Sequence, residues 1–307
     1  MASMGDTSPD VGRFARLQDQ LAGYGFLAPW LIGFFVLTLG PAVASFYLSL
    51  TDYSGLNAPH WVGAENYLRI ATDDDRFWTA MNVTFTFVLL SVPLKLLFAL
   101  GVAVALNKGL KGLSLFRAIF YLPSLVGGSV AIAVLWRQVF SGDGLLNQAL
   151  NMLFGYEGPS WISNPSTSIY TLVLLAVWQF GSSMIIFLAG LRQIPKDMYE
   201  AASLDGASPA RQFFKITLPL LTPVIFFNAV IITIDAFKAF TSAFIISDGT
   251  GGPIDSTLFY TLYLYQEAFT NFRFGYASAL AWVLVVIIAF FTAMSFLSAR
   301  YWVHYDD

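Results

Sequence analysis

The stretch EAASLDGASPARQFFKITLP, residues 200–219, breaks a chain that otherwise reads as oil. Of 307 residues, 57% are hydrophobic and only 11% charged, whereas ordinary soluble domains carry about a quarter charged residues. So little charge cannot cover a globular surface, and lipid must be the solvent for much of the chain. Against that background, residues 200–219 are small, charged and helix-forming. Their side of the membrane decides how everything else is arranged.

Six apolar segments are long enough for a bilayer core of about 30 Å, which takes roughly 20 residues of helix. They are 21–51, 77–107, 118–136, 169–191, 216–234 and 274–299. Pro29 and Pro41 are placed to bend the first, and Lys95 lies deep in the second. The first 20 residues are polar, and the apolar run behind them is too long for a signal-peptide core. It also lacks an A-x-A pattern, so it reads as an uncleaved first span. The expected architecture is all-α, a short segment over 1–20 followed by one six-span membrane unit over 21–307.

Basic residues near span ends set orientation. Lys108, Lys111 and Arg117 crowd one short connection, and Arg192, Lys196, Arg211 and Lys215 crowd another. Arg13, Arg16 and Arg300 fall on the same side. The opposite loops are longer, hold Arg69, Arg76, Arg137, Lys238 and Arg273, and carry the acidic run TDDDR at 72–76. Both termini and residues 200–219 are therefore expected in the cytoplasm.

Within that loop, 192–215, Pro195 suits a helix start, where a missing N–H costs nothing. Asp197 and Glu200 then sit near the positive end of the helix. Gly206 is placed to turn the chain, and Ser208-Pro209 reads as an N-cap followed by a proline start. The small side chains of Ala201, Ala202 and Ala207 admit close approach of another surface. An amphipathic helix lying on the bilayer is the plainer alternative. It wants a Lys/Arg-rich polar face, and Asp197, Glu200 and Asp205 would instead face an anionic leaflet.

Glu200-Ala201-Ala202, Gly206 and then Ile216-Thr217-Leu218-Pro219 resemble the EAA signature of bacterial ATP-binding-cassette importer permeases, with every specified position filled. The resemblance implies that this is the coupling helix, docked in a cleft of a cytoplasmic ATPase dimer. Glu200 would meet a basic group there, Ala201 and Ala202 would allow close seating, and Gly206, after Asp205, would make the bend. Leu218-Pro219 would begin the return into the fifth span. GLRQIPKDMYEAA before the motif, LWRQVFSGDGLLNQAL after the third span and DGTGGP at 248–253 resemble the sugar (maltose-type) branch. These matches run over about 116–290. The maltose-type subunit has extra N-terminal spans and a large periplasmic insertion, which this chain, with its short loop 52–76, lacks. The resemblance is to the commoner six-span sugar permeases. It implies a bacterial inner-membrane location, an extracytoplasmic substrate-binding protein, and a second permease, which the sugar branch usually supplies as a paralogue.

Chemistry on the chain itself is sparse. There is no G-x-x-x-x-G-K-[ST] phosphate loop, so ATP and Mg belong to a partner and no cofactor is expected here. Cysteine is absent, and His60 and His304 lie in unrelated segments, so neither a metal cluster nor a nucleophilic triad can be assembled. A net charge of −3 without a basic block does not suggest nucleic acid. A non-enzymatic permease fits, carrying a sugar or oligosaccharide. A polyol phosphate such as glycerol 3-phosphate is the alternative cargo, and a stand-alone secondary transporter the alternative class.

Polar groups inside spans are costly unless they face a cavity or a partner, and they are the candidates for the path. Trp178, Gln179, Ser182 and Ser183 offer an aromatic face beside an amide and hydroxyls, a set suited to sugar. Gly and Ser at these positions also suit helix packing. The maltose-type resemblance implies that this part of the fourth span lines the binding site, which favours Gln179 and Ser183. Asn228, Asp235, Lys238 and Thr241 follow in and after the fifth span. Asp235 and Lys238 have the spacing to pair with each other, and Asp235 or polar backbone is the expected neutraliser of Lys95.

Overall fold

The computed structural model describes residues 24–108 and 112–304, so the polar segment 1–20, with Arg13 and Arg16, and Lys111 lie outside the described residues. Among the described residues the chain is helical, and its extended pairing is one antiparallel bridge, Thr51–Trp61. The helices are α1 Tyr24–Ser49, α2 Glu65–Thr72, α3 Asp75–Leu106, α4 Leu113–Val126, α5 Val130–Phe140 and α6 Leu145–Phe154. They continue as α7 Ser168–Trp178, α8 Gly181–Gln193, α9 Lys196–Leu204, α10 Pro209–Gln212 and α11 Thr222–Phe237. The last are α12 Thr241–Ile246, α13 Tyr260–Tyr265 and α14 Phe274–Trp302.

Four helices are long and apolar enough to cross a membrane: α1, α3, α11 with its continuation through α12, and α14. The count reaches six when two bent pairs each serve as one span. Helix α3 is the central post, packing on α7, α8, α11 and α13. Ala99 and Ala103, one turn apart and fully buried, let it approach Met184, Phe187 and Leu188 of α8 closely. A second cluster, with Phe87, Leu172, Phe237 and Leu280, joins α3 to α7, α11 and α14. Helix α1 leans on α14 and buries almost nothing, leaving Phe26 88% exposed. In lipid that exposure carries no hydrophobic penalty.

The third and fourth apolar segments are not straight. The turn between α4 and α5 bends the chain by 96°, and the gap between α7 and α8 bends it by 42°. Backbone freed at a break must find partners when water is absent, and one side chain supplies them here. Ser124 of α4 donates to the Gln179 carbonyl at 3.0 Å and accepts from the Ser182 N–H at 3.0 Å. The bend after α4 falls at Gly127-Gly128. A Cβ on Gly127 would lie 2.3 Å from the Gln179 side chain, and one on Gly181 would lie 2.3 Å from the Phe120 carbonyl oxygen. The two breaks therefore lock into each other, and Ser129 restarts the helix by accepting from the Ile132 N–H at 3.4 Å.

At one end of the bundle Gly275 donates its N–H to the Tyr53 carbonyl at 2.9 Å, and an added Cβ would stand 2.1 Å from the Thr51 carbonyl oxygen. Both contacts are backbone, so neither can swing away. Gly275→Ala is expected to destabilise this end by about 1–3 kcal/mol, as overpacked sites do. A lower melting temperature in detergent is the readout, and an unchanged one would show that the α1–α14 junction is looser than described.

Candidate functional site

Three places concentrate unusual residues. The first is the elbow built from α9, α10 and the start of α11. Helix α9 begins directly after Pro195 and carries Asp197 in its first turn. It ends at Asp205, and Gly206 takes φ +76, a left-handed conformation that side chains with a Cβ rarely adopt. Ser208 then caps α10 by accepting from the Arg211 N–H at 3.4 Å, with Pro209 in the first turn. A wide turn over Phe213–Thr217 carries the chain through Leu218 and Pro219 into α11.

The elbow is tied to itself. Gln212 donates to the Ser203 hydroxyl at 2.9 Å and the Ala207 carbonyl at 3.2 Å. The Tyr199 and Thr217 hydroxyls share a hydrogen bond of 2.8 Å, joining α9 to the root of α11. Thr217 is buried, and Ile216, Leu218 and Pro219 are half-buried beside it. These bonds tie α9 to the root of the membrane helix. The outer face is left open: Glu200, Ala201, Asp205 and Gly206 are exposed, Ala202 is half-buried and Leu204 is 91% exposed.

The second place is a cavity of about 290 Å³ that opens to the surface of the bundle beside the exposed Asp235. It lies where the broken strut α4–α5 and helices α3, α7 and α11 converge. Of the path candidates it gathers Lys95, Gln179, Asp235 and Thr241. Gln179 donates its amide to the Leu175 carbonyl at 3.2 Å. Asp235 pairs with Lys238 at 3.4 Å. Ser91, Ser129 and Ser242 join the lining from positions the sequence did not single out.

The remaining candidates do not line this cavity. Trp178 packs its ring against Trp136, with centroids 5.8 Å apart. Ser182 is exposed and engaged through its N–H, and Ser183 is buried. Asn228 is buried and donates to the Val224 carbonyl at 3.0 Å, a bond within its own helix. Lys238 reaches Asp235 from outside the lining.

A third constellation was hidden in TDDDR. Asp74 is 9% exposed, and one carboxylate oxygen accepts from the Phe77 N–H at 2.9 Å, capping α3. The other oxygen accepts from Tyr263 Oη at 2.6 Å and from Tyr276 Oη. Burial, and then the hydrogen bond to Asp74, push the Tyr263 phenol above its ordinary range. Arg76 adds an ion pair to Asp255 at 2.8 Å, and Arg69 lies over the Tyr276 ring at 4.8 Å. Arg137 pairs in the same way with Asp248, at the left-handed start of the DGTGGP turn. The only hint in the sequence was that so many acids stood beside a helix start.

Residues 75–303 match the family described as binding-protein-dependent transport system inner membrane component, and the chain belongs to that family. It is thus a multi-pass membrane protein of a transport system rather than an enzyme. Among curated proteins it is 52% identical over 290 residues to the probable ABC transporter permease protein YesP of Bacillus subtilis (strain 168), covering 94% of each chain. It is 33% identical over 283 residues to the lactose transport system permease protein LacF of Rhizobium radiobacter, covering 91% of this chain and 94% of that one. Among solved structures, a chain of a bacterial alginate ABC transporter, in complex with an alginate pentasaccharide-bound periplasmic protein, superposes with a TM-score of 0.81 at 20% identity. That match covers 94% of this chain and 96% of the other, and it shows a shared fold.

Proposed function

We propose that this chain is a permease subunit of an ATP-binding-cassette importer, forming the passage for a sugar or oligosaccharide delivered by an extracytoplasmic binding protein. The observation that carries this reading is the self-bonded elbow 196–217, exposed on its outer face and fastened at its root to α11. Energy from a partner reaches the spans only through contacts that differ between the partner's states. A rigid elbow transmits such a difference. In this reading the elbow and both termini face the cytoplasm, ATP and Mg stay on the ATPase dimer, and a paralogous permease completes the path.

The names of relatives support sugar as cargo: lactose, arabinooligosaccharides and sulfoquinovosyl glycerol. The test is uptake of a labelled oligosaccharide into vesicles holding this chain with its partner permease, ATPase and binding protein. Uptake is expected to require the binding protein and to stop when the phosphate-loop lysine of the ATPase is replaced. Uptake that survives that replacement would overturn the reading in favour of a stand-alone carrier.

A further inference from the structure

We propose that the cavity between α3, α7 and α11 passes sugars that carry a negative charge, and that Lys95 reads that charge. The inference rests on the sugar-importer reading and deepens it.

Lys95 is half-buried within a membrane-crossing helix, and among the described residues no carboxylate lies within 4 Å of its ammonium. Asp235 lines the same cavity, but its carboxylate is already paired with Lys238. Lys238 meets Asp235 from outside the lining, so the three groups together carry one net positive charge. An ammonium in such a place is costly unless something polar or anionic meets it.

A second observation comes from one helical turn earlier. Ser91 is 2% exposed, lines the cavity, and its hydroxyl has no hydrogen-bond partner. Ser91 and Lys95 are four residues apart, hence on one face of α3. A buried hydroxyl without a partner is unusual enough to need a reason. Here the two unmet groups are neighbours, a cation beside a neutral hydrogen-bonding group. An anionic sugar presents the complement, a charged substituent next to a ring hydroxyl. Thr241 and Ser242 offer further hydroxyls, and Phe240 an apolar wall for a ring face.

The volume sits at the small end of the roughly 300–1,000 Å³ typical of ligand sites, which suits one or two sugar rings passing rather than a long chain held whole. Lysine also suits passage. Its charge is a point on a flexible stem and does not impose the two-pronged geometry that arginine does. A site on a conduction path must let its ligand leave.

The experiment uses the assembled transporter in vesicles with three labelled probes: a disaccharide ending in a uronic acid, the same disaccharide with its carboxyl reduced to an alcohol, and glycerol 3-phosphate. The native complex is expected to take up the acid. Lys95→Gln is expected to lower the ratio of acid to neutral uptake at least tenfold, and Lys95→Arg to hold it within about threefold of native. An unchanged ratio in Lys95→Gln overturns the proposal. Import of the neutral disaccharide alone by the native complex overturns this inference and leaves the sugar reading standing. Import of glycerol 3-phosphate in preference to both disaccharides overturns both, and import of none of the three overturns this inference alone.

Discussion

Replacing Glu200 with Lys is expected to leave the protein folded in the membrane while lowering ATP-driven uptake at least tenfold. The Glu200 side chain is exposed, and its carboxylate enters none of the ion pairs formed among the described residues. A surface substitution of that kind shifts stability by only about 0.5 kcal/mol. Truncating or reversing one partner of a hydrogen-bonded charge pair buried at an interface costs about 2–5 kcal/mol, and each 1.4 kcal/mol is tenfold. A large loss of transport without loss of protein therefore separates docking from folding. Gly206→Val should behave similarly for a different reason. Space is not the obstacle, since nothing lies within 4 Å of a Cβ built there. The obstacle is φ +76, which costs an L-residue roughly 1–2 kcal/mol and a β-branched one more. Relief of that strain would re-aim α9. Gly206→Asn, which tolerates the left-handed region, is expected to keep most of the activity. Equal transport by native protein, Glu200→Lys and Gly206→Val would dismiss the elbow as the coupling element.

Asp74→Ala is expected to be the most damaging single change to the fold. It removes the cap of α3 and strands two buried phenols at once. A lost cap costs about 0.5–2 kcal/mol, and each stranded buried donor about 1–3 kcal/mol. The expected result is a steep fall in membrane-inserted protein and in melting temperature in detergent. Asp74→Asn keeps an oxygen acceptor for the cap and should fall between native and alanine. A melting temperature for Asp74→Ala equal to the native value would mean that Tyr263 and Tyr276 find other partners, and that Asp74 does not hold α3 to α13 and α14.

The all-helical membrane architecture was legible because charge is scarce and its exceptions fall between apolar runs. The elbow was legible because local chemistry writes it: Pro195, Gly206, Ser208 and Pro209 each act within a few residues. What escaped the sequence is long-range. The third segment was read as one span, yet it turns sharply at Gly127-Gly128, where the Gln179 side chain of another segment occupies the space a Cβ would need. Ser124, which satisfies the break after Gln179, sits 55 positions away from it and looks like any small residue in a span. Asp74 lies 189 and 202 positions from its two tyrosines, and nothing in TDDDR marks which acid turns inward. The cavity was half legible. A charge inside the second span pointed to Lys95 and one just past the fifth to Asp235, while Ser91 is an ordinary residue until its hydroxyl is seen to lack a partner.

The most direct test exploits the absence of cysteine from the chain, which makes any introduced thiol unique on this subunit. Leu204→Cys places one on the exposed outer face of the elbow. In native membranes containing the assembled transporter, a short bifunctional thiol reagent is expected to join position 204 to a cysteine introduced at the rim of the ATPase cleft. The yield should change between the nucleotide-free and ATP-bound states. Tyr170→Cys, exposed near the other end of the bundle, should give no such product. Crosslinking to the ATPase from position 170 and never from 204 would contradict the account at its centre.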